Sequence, residues 1–146
     1  NALPVFMECS SSHNQIESII SIISEKNLRN VGILVPDNEM VLEIMNAFTD
    51  AKFACEFKYN MGYKDSNNRD TLNFKTDRPK LMTYHSAKGL QFETVILPYY
   101  QGVNSSSEKK ALYVAMTRTY RHLYIMYNGE IQEPLKSVPE RLYEKQ

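Results

Sequence analysis

The sequence predicts an α/β fold of three layers, with helices on both faces of a mainly parallel sheet. Three observations carry the prediction. The run Val31-Gly-Ile-Leu-Val35 is apolar without alternation, as an interior parallel strand covered on both faces requires. Strand-like and helix-like segments alternate from the start of the chain, which implies right-handed crossovers on one shared sheet. At 146 residues, 42% of them hydrophobic, the chain has enough apolar material for one core, so residues 1–146 read as a single domain.

The elements follow in order. Pro4-Val-Phe-Met-Glu-Cys9 reads as a first strand, closed by Ser10-Ser11-Ser12, one of which can cap a helix. Ile16, Ile19, Ile20 and Ile23 then share one helical face, with Glu17, Ser21 and Glu25 away from it. That face is β-branched, so burial against a sheet rather than propensity must hold the helix. After Val31–Val35, Pro36 ends the strand, and Asp37 or Asn38 opens a helix with a stripe of Met40, Val41, Ile44, Met45 and Phe48. Ala54-Cys-Glu-Phe57 is a further candidate strand. From Lys58 to Arg78 polar turn-forming residues dominate, predicting an exposed loop or short excursion longer than the usual connection.

Pro79 opens a strand over Lys80–Met82, and Thr94-Val-Ile-Leu97 forms another. Ser105 with Glu108 fits a capping box for a helix running from Glu108 to about Thr119, with Leu112, Ala115 and Met116 inward. Leu123–Tyr127 is a strand and Asn128-Gly129 a turn. The tail from Gln132 is expected to pack a short helix through Leu135, Val138 and Leu142.

Composition excludes several classes of function. Seventeen basic and seventeen acidic residues give a formal net charge of zero, so nucleic-acid contact must come from local groups rather than a global field. No apolar run approaches the length that crosses a bilayer, and no signal-peptide core stands near the start, so no membrane partner is expected. Cys9 and Cys55 lie in apolar, strand-like segments without metal-ligand spacing, as expected of two buried thiols in a reducing, cytoplasmic setting. No paired His/Cys spacing suggests a metal site. The chain starts at Asn1-Ala2 without Met and enters a strand within a few residues, as expected of a piece of a larger protein.

Two stretches carry chemistry. Between Thr83 and Gly89, at the carboxyl end of a predicted strand, stand Thr83, His85, Ser86, Lys88 and Gly89. Ligands of doubly wound sheets sit outside the carboxyl ends of the strands. Thr83 and Ser86 can donate to a phosphate oxygen, Lys88 can neutralise one, His85 can donate or stack, and Gly89 permits close backbone approach. No Gly-x-x-x-x-Gly-Lys-Ser/Thr phosphate loop, the Walker A pattern, occurs anywhere. The alternative for the stretch is an ordinary strand-to-helix turn with His85 satisfied by backbone. The second stretch is Tyr113-Val-Ala-Met-Thr-Arg118, where an arginine follows an apolar helical approach. A guanidinium held that way can stabilise charge on a transferring phosphoryl group. Arg121 and His122 read as a solvated helix end, and His13 as isolated.

Thr83-Tyr-His-Ser-Ala-Lys-Gly-Leu-Gln-Phe-Glu93, followed by Leu112-Tyr-Val-Ala-Met-Thr-Arg118, resembles motifs V and VI of the UvrD/Rep-type superfamily 1 helicases. The resemblance covers most of the chain and implies a RecA-like fold, the second of two motor domains of a DNA helicase. It implies that ATP and Mg2+ bind mainly to an N-terminal RecA-like ATPase domain of the same chain, and that single-stranded DNA crosses the tops of both domains. Arg118 is then the catalytic arginine reaching the γ-phosphate. Gly89 and Gln91 lie on the nucleotide side, and Thr83, His85 and Ser86 on the DNA side. DNA repair is the expected setting. The family usually has glutamate at Gln91, so a hydrogen-bonding group is kept here without its charge. The Lys58–Arg78 connection has no room for the accessory domain that larger members insert. The competing expectations are a non-catalytic α/β nucleic-acid-binding or regulatory module, and an RNA-directed helicase half.

Overall fold

The computed structural model describes residues 2–146; Asn1 of the Asn1-Ala2 start lies outside the described residues. The order of elements is β1 (Val5–Cys9), α1 (Ser12–Glu25), β2 (Val31–Val35), α2 (Asn38–Asp50), β3 (Glu56–Tyr59), β4 (Arg69–Asp70), β5 (Lys80–Thr83), β6 (Phe92–Leu97), α3 (Ser106–Met116), β7 (Thr119–Asn128) and β8 (Glu144–Lys145). The strands form one sheet in the order β4-β3-β5-β2-β6-β7-β1-β8. Every pairing is parallel except β3 with β4.

Alternation along the strands divides the core in two. Val31, Ile33, Val35, Leu81, Ile96, Tyr124 and Met126 face α1 and α2. Leu34, Met82, Val95, Leu97, Leu123 and Ile125 face the other layer, built from Leu112 and Ala115 of α3, from Tyr84, Ala87 and Leu90, and from the tail through Leu135 and Val138. The three-layer α/β/α architecture is therefore present, with the Tyr84–Gln91 segment as part of one helical layer. Ser11 caps α1 by accepting from Asn14 N, and Asp37 caps α2 by accepting from Met40 N. Ser105 accepts from Glu108 N, while its own hydroxyl donates to the Glu108 carboxylate at 2.9 Å.

Several elements differ from the sequence expectation. On α1, Ile22 is buried and Ile20 only half-buried, because the face is turned by one residue toward the sheet. The third strand is Glu56–Tyr59 rather than Ala54–Phe57. Its first residue, Glu56, is buried opposite Lys80 across β3 and β5, an ionic pair that apolar patterning cannot register. Within the Lys58–Arg78 stretch, β4 pairs antiparallel with the end of β3 through Lys58–Asp70 and Tyr59–Arg69. The turn after Thr83 leads to no helix but straight to β6. The third helix stops at Met116, where the β-branched Thr117 and Thr119 flank Arg118 and the chain turns into a ten-residue strand. Arg121 and His122 are thus strand residues. The tail forms two short 3-10 turns, Leu135–Ser137 and Glu140–Leu142, then β8, which pairs with β1; Leu142 is exposed. Cys9 is buried and Cys55 half-buried; burial raises both thiols above their ordinary range, most strongly Cys55.

Candidate functional site

Strand β2 lies between β5 and β6. Its carboxyl end feeds α2 on one face, while those of β5 and β6 feed segments on the opposite face. This is a topological switch point, where open α/β sheets form their crevice. Thr83 ends β5 at that edge. Its hydroxyl is not free: Oγ1 accepts from Ser86 N at 3.2 Å and lies 3.2 Å from Ser86 Oγ. Thr83 is buried and holds the turn, while Ser86 is half-buried and His85 exposed. His85 and Ser86 line a groove of about 510 Å³ with Pro36, Asp37, Lys58 and Asn60. The groove thus offers hydroxyl, imidazole and ammonium donors to an anion, with one carboxylate, Asp37, already engaged in capping α2.

From Thr83 the chain crosses the sheet to its other edge. Ala87 N donates to Thr83 O, Lys88 N to His85 O and Leu90 N to Ala87 O, so the first half is wound tightly. Gly89 follows with φ of +79°, a left-handed conformation that strains other residues, and nothing lies within 4 Å of where a Cβ would stand. Gln91 then leads into Phe92, the first residue of β6, which pairs with Thr119, the first of β7. Phe92 stacks so closely over Gly32 that a Cβ there would stand 2.6 Å from its ring. Gly32 therefore fixes where β6 begins and where Gln91 is presented.

At this amino edge Gln91 and Arg118 meet. Gln91 Nε2 donates to Thr117 O at 3.3 Å, and Phe92 N donates to Arg118 O at 2.8 Å. Arg118 lies in the turn between α3 and β7. Its Nε donates to Val114 O at 3.0 Å and its Nη2 to Thr117 Oγ1 at 3.3 Å, which holds the half-buried guanidinium at the helix end and leaves its other donors without a partner among the described residues. A register shift between Phe92 and Thr94 marks a β-bulge here. Thr119 Oγ1 lies within hydrogen-bond distance of Glu93 O and His122 O, satisfying the carbonyls the bulge frees. Arg121 pairs with Glu93 at 3.1 Å.

The predicted residues therefore fall into two groups at opposite edges of the sheet, joined by one segment. Thr83, His85 and Ser86 stand at the carboxyl edge; Gln91 and Arg118 stand at the amino edge, with Gly89 on the way between. Sequence reasoning missed the buried Glu56–Lys80 pair, the bulge, and Gln15. Gln15 is buried on α1, where its side chain accepts from Tyr99 N at 2.7 Å and donates to Asn128 at 2.8 Å. A glutamine on the isoleucine face of α1 was the available signal.

The fold is that of the RecA-like C-terminal domain of helicases. The structure is similar to the C-terminal domain of a possible DNA helicase from Lactobacillus plantarum, with TM-score 0.70 and 17% identity over 99% of this chain and 86% of that one. It is also similar to the C-terminal domain of the DEAD-box protein Dbp5, with TM-score 0.61 and 11% identity over 98% and 88% of the two chains. A third similarity is to the arterivirus nonstructural protein 10 helicase in complex with DNA, with TM-score 0.61 and 11% identity; it covers 98% of this chain but only 35% of that one. Residues 80–126, which hold both motifs, match the family model of the UvrD-like helicase C-terminal domain. This is the family to which the motif pair points. A comparison with curated protein sequences finds no match. No helix among the described residues is long and apolar enough to cross a membrane.

Proposed function

We propose that this chain is the second motor domain of an ATP-dependent DNA helicase or translocase. In this reading it supplies Arg118 to ATP bound on an N-terminal RecA-like ATPase domain, and part of the single-stranded DNA track. The observation that carries the reading is the meeting of Gln91 and Arg118 at one edge of the sheet. A single continuous segment links that edge to Ser86 and His85 at the other.

The chemistry follows from the side chains. Arg118 gains charge-assisted bonds to a transferring phosphoryl group only when a partner domain brings the phosphates to the amino edge, so its interaction favours the closed arrangement. Gln91 supplies a neutral donor beside it, and the open backbone at Gly89 leaves room for close approach on the way to that edge. At the other edge Ser86 and His85 donate to backbone phosphates, and Thr83 holds the turn that presents them. Because Thr83 through Phe92 is one short segment pinned at both ends, a shift at the nucleotide edge is felt at the track.

The chain does not offer a cage for Mg2+: among the described residues, no three His, Cys, Asp or Glu side chains converge to hold a metal ion. The metal and the phosphate loop are assigned to the partner domain, and the isolated 146 residues are expected to turn over no ATP.

The test is Arg118→Ala in a protein joining this chain to its ATP-binding domain. The expected result is loss of most DNA-stimulated ATP hydrolysis with an unchanged circular dichroism spectrum and melting temperature. Wild-type turnover would overturn the assignment. Parallel assays with single-stranded DNA and RNA separate a DNA track from an RNA one, which contacts to phosphate alone distinguish poorly.

A further inference from the structure

A cavity of about 680 Å³ lies at the same carboxyl edge but beyond the groove of Ser86. It occupies the crevice between β2 and β6, with α3 as one wall. Tyr84 and Tyr99 line it, both about nine-tenths buried, and neither phenol has a hydrogen-bond partner among the described residues. Burial, with the Glu43 charge adding to it, pushes the Tyr99 phenol up to about 12, so it is a neutral donor at physiological pH. The apolar walls come from Met40 and Val114; exposed Lys88 and Lys110 stand at the rim, and the two carboxylates there, Asp37 and Glu108, are engaged in capping α2 and α3. Pro36, Asp37 and His85 line both this cavity and the Ser86 groove, so the two are continuous.

Tyr99 is also strained. Its φ is +61°, a left-handed conformation that is an outlier for a bulky side chain, and it persists because buried Gln15 accepts from its backbone N–H. Strain over-determined in this way clusters at ligand sites. An aromatic floor, apolar walls and two ammonium groups at the rim, unpaired among the described residues, match a planar base attached to a phosphate.

We propose that this cleft binds one nucleotide of the single strand that leaves the Ser86 groove, its base against the tyrosines and its phosphates near Lys88 and Lys110. The inference rests on the nucleic-acid part of the function proposed above. It extends the track past His85 and predicts that the domain reads a base as well as a backbone.

The test uses the 146-residue chain and a short single-stranded oligonucleotide carrying one 2-aminopurine, with anisotropy reporting affinity and 2-aminopurine emission reporting stacking. Wild type is expected to bind and quench. Lys110→Glu, an exposed helix change at the proposed phosphate contact, is expected to weaken affinity about tenfold and flatten the salt dependence. Tyr99→Gly, in which relief of the left-handed strain offsets part of the loss of a buried side chain and whose fold is checked by circular dichroism, is expected to weaken affinity about tenfold and abolish quenching. His85→Ala with Ser86→Ala should weaken binding while leaving residual quenching. Unchanged affinity and quenching in both cleft variants, with binding lost in the His85/Ser86 variant, overturns the cleft alone. No binding by wild type overturns the cleft together with the track. Quenching by free 2-aminopurine nucleotide at the same concentration as the oligonucleotide, lost in Tyr99→Gly, overturns the strand as the occupant.

Discussion

Removing Lys80 should cost far more than its position on a surface-looking stretch of sequence suggests. Lys80 Nζ lies 2.9 Å from Glu56 Oε1, with the two side chains only 5% and 7% exposed, so solvent does not screen the pair. Lys80 also donates to Arg78 O at 2.6 Å and to Thr76 Oγ1 at 3.1 Å. Glu56 in turn accepts from Asn73 N at 2.7 Å and Thr76 Oγ1 at 2.6 Å. This network ties the Asn73–Arg78 loop to the start of β5, the strand that ends at Thr83. Lys80→Met would strand a buried carboxylate, and losing one partner of such a pair costs about 3–5 kcal/mol. The loop donors that remain on Glu56 put the expected value near the low end, about 3 kcal/mol. In a chain of this size that lowers the melting temperature by roughly 10 °C. Lys80→Met with Glu56→Leu should recover much of the loss, because Asn73 and Thr76 are accessible enough to bond water.

Urea and thermal unfolding followed by far-ultraviolet circular dichroism measure both variants. A loss below about 1 kcal/mol for Lys80→Met, the value expected of exposed pairs such as Arg29–Asp77, would refute the reasoning. The same network predicts a pH dependence. Burial acts to raise the Glu56 pKa, but the hydrogen bonds from Thr76, Lys80 and Asn73 and the Lys80 charge outweigh it and hold the group below its ordinary 4.5. A depressed folded-state pKa contributes stability that is fully present above 4.5 and is lost as pH falls through the folded value. Acid unfolding of Glu56→Gln should therefore show a weaker pH dependence below that point.

Two further substitutions test the packing behind the site. Gly32→Ala places a methyl 2.6 Å from the Phe92 ring; it should destabilise by about 1–3 kcal/mol in urea unfolding and shift the amide signals of Gln91 and Phe92 in NMR spectra. Thr94 carries a buried hydroxyl with no partner among the described residues, so Thr94→Val should stabilise by about 1 kcal/mol, a rise of roughly 3 °C in melting temperature.

These residues also show which parts of the molecule the sequence discloses. Val31–Val35 and the stripes of α1 and α2 were legible because their burial follows period and apolarity alone. The two motif stretches were legible because hydroxyl, imidazole, glycine and arginine stood where strands and a helix should end. Glu56 was not, because an ion pair satisfied inside the protein looks the same in sequence as two solvated charges. The end of α3 was misplaced because Thr117-Arg118-Thr119 continues the helical pattern of apolar positions while the bulge draws Thr119 into β7. The β8 strand, Glu144–Lys145, pairs through backbone alone and leaves its side chains in water, so it carries no apolar signal. The Thr83 hydroxyl bonds Ser86 within the turn, a contact between two polar groups that only coordinates disclose.

The central claim is that Arg118 acts on charge developing at a phosphoryl group rather than on binding or folding. The direct measurement is single-turnover ATP hydrolysis in the DNA-bound, two-domain protein, comparing wild type with Arg118→Ala and Arg118→Lys. Arginines in this role are worth about 10³–10⁵ in rate. The account predicts a loss of at least about a thousandfold in both variants, since lysine lacks the planar fork of donors, with ATP affinity changed far less. A rate within a few-fold of wild type in Arg118→Ala would contradict it.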